Sequence, residues 1–201
     1  MKNLSALFAT ALFVALSFVA CKKDDNGGGG SSTFDGKISG TIVNVPAGTG
    51  DFTMDAYYDN STSSEFSTTV HNGAFSMTLP TPPADMLYSV SEDMPSSMQM
   101  SDSNTLGTGI YFEAEGTEVR CVSTDNPITQ EIGLLYVDRD VTITGSQSQM
   151  GFAMTYNVSL KKGWNKVLQT ATATSVTWTT SSIPSNLVWK LDLDLAFEGP
   201  F

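Results

Sequence analysis

Residues 50–59 read Gly-Asp-Phe-Thr-Met-Asp-Ala-Tyr-Tyr-Asp. Phe52, Met54, Ala56 and Tyr58 alternate with Asp51, Thr53, Asp55 and Tyr57. A period of two sends the first set to one face of an extended strand and the second to the other. The pattern recurs along the chain. Ile38, Gly40 and Ile42 interleave with Lys37, Ser39 and Thr41, and Phe152, Met154, Tyr156, Val158 and Leu160 share a face. In 187–197, Leu187, Trp189, Leu191, Leu193, Leu195 and Phe197 oppose Val188, Lys190, Asp192, Asp194 and Ala196. Further strand-like runs are "GIYFEAEG", "TEVRCVS", "IGLLYVD", "DVTITGSQ" and "SVTWTT". One apolar and one polar face per strand predicts antiparallel sheets around a shared core. About ten such strands predict an all-β fold, an antiparallel β-sandwich, with a small β-barrel as the alternative.

Turn chemistry refines that expectation. Asn72-Gly73 between two strand-like runs is a strong hairpin signal. A turn about Ile183-Pro184 would place Trp178 opposite Trp189 as a cross-strand aromatic pair. Pro80, Pro82 and Pro83 cannot occupy a central strand. The β-sandwich domain is therefore expected over 34–201, with a division into two subdomains near 80–84 as a variant. After a short strand-like run, "MLYSVS", residues 92–109 carry no periodicity and read as a long loop.

The chain begins "MKNLSALFATALFVALSFVACKKDDNGGGGSSTF". One positive charge, Lys2, precedes an apolar run to Ala20, the layout of an export signal. Phe18-Val19-Ala20-Cys21 resembles the lipobox of bacterial lipoproteins. The resemblance implies a signal peptide over 1–20, removed before Cys21, and diacylglyceryl and acyl groups such as palmitate on that cysteine. Phe18 stands where the family commonly has Leu. Several acyl chains hold a protein stably where a single chain holds it marginally. Residues 21–33 then read as a lipidated cysteine and flexible tether. Lys22-Lys23-Asp24-Asp25 resembles the surface-export signal of Bacteroidetes lipoproteins. That resemblance assigns Lys23, Asp24 and Asp25 an address: the outer membrane, exposed at the cell surface. It covers the first thirty residues and says nothing of the fold behind them.

The chain holds 10 basic and 21 acidic residues in 201, for a net charge of −11, and Lys2 leaves with the signal. A surface of that sign excludes nucleic acid as a partner, because phosphate contacts need cations. With Cys21 given to lipid, the fold is expected to use no disulfide. Cys121, in a strand-like run, is expected to fill core as a small hydrophobe.

Few residues point to chemistry. His71 is the single histidine, stands beside a turn signal and has no Gly-x-Ser-x-Gly partner motif. No histidine–cysteine spacing fits zinc. Paired carboxylates, which two-carboxylate glycoside hydrolysis would use, occur at Glu113/Glu115, Asp138/Asp140 and Asp192/Asp194. Alternating polar strand faces produce such pairs without any catalytic role. Met94, Met98 and Met100 cluster in the long loop as an adaptable contact surface or a weak soft-metal site for copper. Trp164, flanked by lysines and Asn165, is the expected exposed ring for ligand contact, with Tyr57, Tyr58, Asp55 and Asp59 as a second, weaker group. The expectation is a non-catalytic envelope protein, held to the membrane by lipid, needing no cofactor and binding a glycan or an envelope protein. A carboxylate-dependent hydrolase, or a hydrophobic-ligand carrier built on a barrel, are the alternatives.

Overall fold

A computed structural model of the protein describes residues 34–46, 48–59, 61, 63, 65–92, 94–125 and 129–191. Cys21, Lys23, Asp24 and Asp25 lie outside these residues, as does the end of the chain from Asp192.

The described residues form fourteen strands. They are β1 (Lys37–Val43), β2 (Phe52–Tyr58), β3 (Phe66–Val70), β4 (Ala74–Thr78), β5 (Tyr88–Ser89), β6 (Gln99–Met100) and β7 (Leu106–Ala114). They continue with β8 (Thr117–Ser123), β9 (Gln130–Val137), β10 (Val141–Gln149), β11 (Phe152–Leu160), β12 (Gly163–Ala171), β13 (Ser175–Thr179) and β14 (Leu187–Leu191). One 3-10 turn, Ala84–Met86, follows the prolines. The strands join in one branched sheet running β4-β1-β14-β8-β7-β9-β12-β13-β11-β10-β6. β2 and β5 pair with β7, and β3 lies beyond β2. The fold is all-β, and the sheet is mixed and not closed into a barrel.

Three two-residue turns set the hairpins. Asn72-Gly73, Glu115-Gly116 and Met150-Gly151 all have positive φ at both positions, as a type I′ turn requires. Only the first pair has the preferred residues for that geometry.

Two expectations are corrected. The sheet is not purely antiparallel, since β1 pairs parallel with β14 and β11 with β13. Trp178 does not face Trp189 either, because the segment at Ile183-Pro184 crosses between distant strands rather than closing a hairpin. Trp178 lies opposite Tyr156 and Gln169, whereas Trp189 lies opposite Ile42 and Cys121.

Two apolar cores result. The first gathers Ile38, Tyr58, Ile110, Phe112, Leu134 and Trp189 with their neighbours. Residues before and after Pro80–Pro83 share it. Phe75 and Phe112 meet the Trp189 ring edge-on at 4.8 and 5.7 Å. Gly40 is glycine because a Cβ there would run into the Trp189 indole. The second core is mainly aliphatic, built from Val137, Val141, Ile143, Val158, Leu160 and Val167, with Trp178 at its side. Each such side chain contributes about 1.5–3 kcal/mol by leaving water. Cys121 is wholly buried in the first core, as expected.

Candidate functional site

β2 and β7 place the most distinctive outward side chains of the first half. With Met54, Ala56 and Tyr58 turned into the core, the pleat turns Asp55 and Tyr57 outward. On β7, Ile110, Phe112 and Ala114 point in, so Tyr111 and Glu113 point out. The antiparallel register sets Tyr57 opposite Tyr111 and Asp55 opposite Glu113. The two phenol rings stack, with centroids 5.0 Å apart and planes 9° apart. The next strand extends the acidic row, since Glu113 also lies opposite Glu118 of β8. Arg120, two residues on, is held by an ion pair to the buried Glu131 of β9 and lies opposite Lys190 of β14. The result is a row of three carboxylates beside a stacked tyrosine pair, with two cations further along the sheet.

Electrostatics follow from that placement. Desolvation raises the Tyr57 phenol first, and the Glu113 and Asp55 carboxylates add to it. The Tyr111 phenol is raised by desolvation, then by Glu113, by Tyr57 and by Asp59. Both hydroxyls therefore stay protonated as donors through the physiological range and beyond.

Asp59 closes the other end of the tyrosine row. Its Oδ2 accepts from the Gly109 N–H at 2.9 Å and from the Tyr88 hydroxyl at 3.3 Å. Burial pushes the carboxyl up to about 6, against those two bonds. A carboxyl raised by burial, with other carboxylates on the same face, raises the question of acid–base chemistry. Glu113 and Asp55 each lie four residues from the Asp59–Gly109 level, about 13 Å along the strands. Paired glycosidase carboxylates sit about 5–9.5 Å apart, and here the tyrosine row stands between the two levels. Asp59 is therefore placed as a structural carboxyl.

The remaining expectations fall as follows. Trp164 is buried, its Nε1 donating to the Pro80 carbonyl at 2.9 Å and its ring set edge-on to Tyr136. The exposed ring expected at Trp164 is thereby corrected, as is contact through Tyr58, which is buried and pushed up to about 12 by desolvation. Tyr57 keeps its outward place. Met94 and Met100 pack against the second core, and Met98 lies over Gly145 of β10. The long loop thus covers the core, with Met100 opposite Ile143. His71 is exposed beside the Asn72-Gly73 turn, its Nδ1 2.7 Å from Asp51 Oδ2. Asp138 is held by Arg139 and the Leu106 N–H, and Asp140 by Lys161 and the Lys162 N–H. Glu115 occupies a turn, and Asp192/Asp194 lie outside the described residues. Among the described residues, no three His, Cys, Asp or Glu side chains converge as metal ligands.

Sequence reasoning missed Tyr111, Arg120 and Glu131. Alternation in "GIYFEAEG" does put Tyr111 on the polar face, but the β2–β7 pairing that makes it the neighbour of Tyr57 spans more than fifty residues. A pocket of about 360 Å³ also lies beside the β1–β14 pair, lined by Ser39–Thr41, Val43 and Leu187–Trp189. No family model matches the chain, and no curated protein or solved structure shows a significant match to it.

Proposed function

We propose that the chain is a non-catalytic, lipid-anchored envelope protein whose sandwich-like β domain binds a glycan or another envelope protein through the Tyr57–Tyr111 face. The observation that carries the binding reading is the stacked pair itself. Two phenols fixed by a β ladder lose little freedom on meeting a ligand, and preorganisation of that kind is what binding surfaces use. Each part-exposed tyrosine carries a hydroxyl donor, and the Asp55–Glu113 row supplies acceptors alongside. That combination suits a hydroxyl-rich sugar or a polar protein patch. The test is a glycan and envelope-protein binding screen with the mature protein carrying Cys21→Ala, repeated with Tyr57→Ala and Tyr111→Ala. Hits abolished by either tyrosine variant support this face. Hits untouched by both place binding elsewhere.

The anchor and address rest on the resemblance at residues 18–25. Radiolabelled palmitate should enter the protein and not its Cys21→Ala variant, and the variant should leave the membrane fraction. Alanines at Lys23, Asp24 and Asp25 should reduce protease accessibility on intact cells; unchanged accessibility removes the surface address. The chain has two cysteines, so lipid on Cys21 and an intrachain disulfide at Cys121 would compete for one sulfur. The intact mass of the mature protein, with and without reductant, separates them. A diacylglyceryl adduct upholds the anchor, and an unlipidated disulfide overturns it.

A further inference from the structure

Main-chain pairing stops short at the join of β1 and β14. β1 pairs β4 over five residues and β14 pairs β8 over five, but β1 and β14 meet only at Ile42–Trp189 and Val43–Lys190. The Ile42 N–H donates to the Gly73 carbonyl at 2.8 Å, and the Leu79 N–H donates to the Gly36 carbonyl at 2.9 Å. Successive residues of a strand turn their main-chain groups to opposite edges. Gly36, Ile38, Gly40 and Ile42 therefore serve β4 and its turn, and Ser39, Thr41 and Val43 face β14. On β14 the Asn186 carbonyl accepts from the Thr124 N–H at 2.9 Å, next to β8. Asn186, Val188 and Lys190 thus serve β8, and Leu187 and Trp189 face β1. Ser39, the Thr41 N–H and Leu187 lie before the two-residue ladder and have no ladder partner on that side among the described residues.

The pocket beside the pair lies against this stretch. Its inner side is Leu187 and the Trp189 indole, with Gly40 leaving no Cβ above the ring. Its outer side is Val43, which is 38% exposed, with Val188 and the Ser39 and Thr41 hydroxyls. No lining residue is charged. Two cations stand at the ends of the stretch: Lys37, two residues before Ser39, and Lys190, opposite Val43. The Asp35 carboxylate lies 3.8 Å from Lys37, both side chains being mostly exposed, which is a weak surface pair.

We propose that this edge accepts an extended segment of a partner protein in which apolar and acidic residues alternate. An added strand takes its main-chain bonds from Ser39, Thr41 and Leu187. Its period of two sends one set of side chains inward over Leu187 and Trp189 and the other outward between Lys37 and Lys190. In a chain of net charge −11, two cations framing an uncharged edge favour an acidic strand at that place. The site is separate from the Tyr57–Tyr111 pair and does not rest on it.

The test titrates the mature protein carrying Cys21→Ala with a short acetylated peptide alternating valine and aspartate, and follows amide exchange. The Ser39, Thr41 and Leu187 amides should exchange rapidly in the free protein and about tenfold more slowly with peptide bound. A valine–lysine counterpart should bind about tenfold more weakly. Two N-methylated versions, one for each edge of the peptide, separate strand addition from plain apolar contact, and at least one should lose about tenfold in affinity. Val43→Asp, at an exposed position, should weaken the aspartate peptide by a similar factor. No binding of the aspartate peptide overturns the proposal, as does binding that leaves those amides unslowed or survives N-methylation on both edges. Equal affinity for the lysine peptide, or an unmoved affinity in Val43→Asp, overturns it too. Amides already protected in the free protein mean that a second copy or another part of this chain fills the edge, which is equally fatal. No arm involves the tyrosine face, so failure here leaves that reading standing.

Discussion

The two halves share one alternation and differ in what it displays. In the first half the outward rows of β2, β7 and β8 carry Asp55, Tyr57, Tyr111, Glu113, Glu118 and Arg120. In the second half the outward row of β10 is Thr142, Thr144, Ser146 and Ser148. Ser159, Asn157 and Thr155 of β11 lie opposite its first three members. Thr177 and Thr179 of β13 continue that surface without a charge. The cores differ in the same sense, one crowded with aromatic rings and the other mainly aliphatic. Of the strand faces compared, the β2–β7–β8 face carries the charges and the aromatic rings. A hydroxyl carpet covers this face of the second half, while the first half presents the charged and aromatic side chains on which the proposed binding rests.

The largest expected effect tests whether the halves are one cooperative unit. Trp189→Ala removes the ring against which Gly40, Phe75 and Phe112 pack, and should cost about 3–5 kcal/mol. Trp178→Ala strips the ring stacked on Tyr156 at 4.3 Å and its Nε1 bond to Gln169, and should cost about 3 kcal/mol. Calorimetry decides between the cases. One transition shifted by both variants means that β7 and β9 couple the halves. Two transitions, each moved by one variant, break the molecule into independent bodies.

Arg120→Ala comes next. It leaves Glu131, 6% exposed, without its guanidinium partner and should cost about 3 kcal/mol by urea denaturation. A loss under about 0.5 kcal/mol would class the pair with ordinary surface pairs. The comparable change on the other face, Thr144→Ala, should stay within about 0.5 kcal/mol.

Local patterning in the sequence carried the strand faces well. Phe52 to Tyr58 and Phe152 to Leu160 lie as alternation places them, because the pleat forces a period of two on any half-buried strand. Alternation says nothing of which strand lies beside which. The parallel β1–β14 pairing joins residues almost 150 positions apart, so the neighbours of Trp189 were illegible. Trp164 misled for a related reason. Its lysine neighbours in sequence do not reveal that Pro80 and Tyr136 come from elsewhere to cover the ring. Tyr57 was legible as an outward ring. Its stacking on Tyr111 was not, since the pair exists only through register. Asp59 was legible only as a polar neighbour of the two tyrosines, because its partners Gly109 and Tyr88 come from elsewhere in the chain.

Tyr111→Ala sharpens the contrast on the outer faces. Losing the stacked partner of Tyr57 should cost about 1 kcal/mol in stability. Binding to any ligand found by screening should fall by much more, because the hydroxyl and the ring face disappear together. Thr155→Ala, on the neutral face, should leave both stability and binding unchanged. Equal losses in the two variants would mean that the faces are not functionally distinct.

The smallest effect concerns the turns, where the halves can be compared at a single geometry. Asn72, Glu115 and Met150 hold φ of 51°, 52° and 52°, each followed by a glycine. Asparagine tolerates that left-handed backbone because its short side chain bonds locally, whereas glutamate and methionine meet the ordinary Cβ penalty. Met150 is also 98% exposed, so no packing contact offsets the penalty. Met150→Asn should therefore stabilise the protein by about 0.5–1 kcal/mol, and Asn72→Met should destabilise it by a similar amount. Chemical denaturation of the two variants checks both signs at once. Opposite shifts locate the effect in turn chemistry. A gain at Met150 with no loss at Asn72 would mean that the β3–β4 turn is held by its surroundings, where the His71–Ala74 bridge already fixes it.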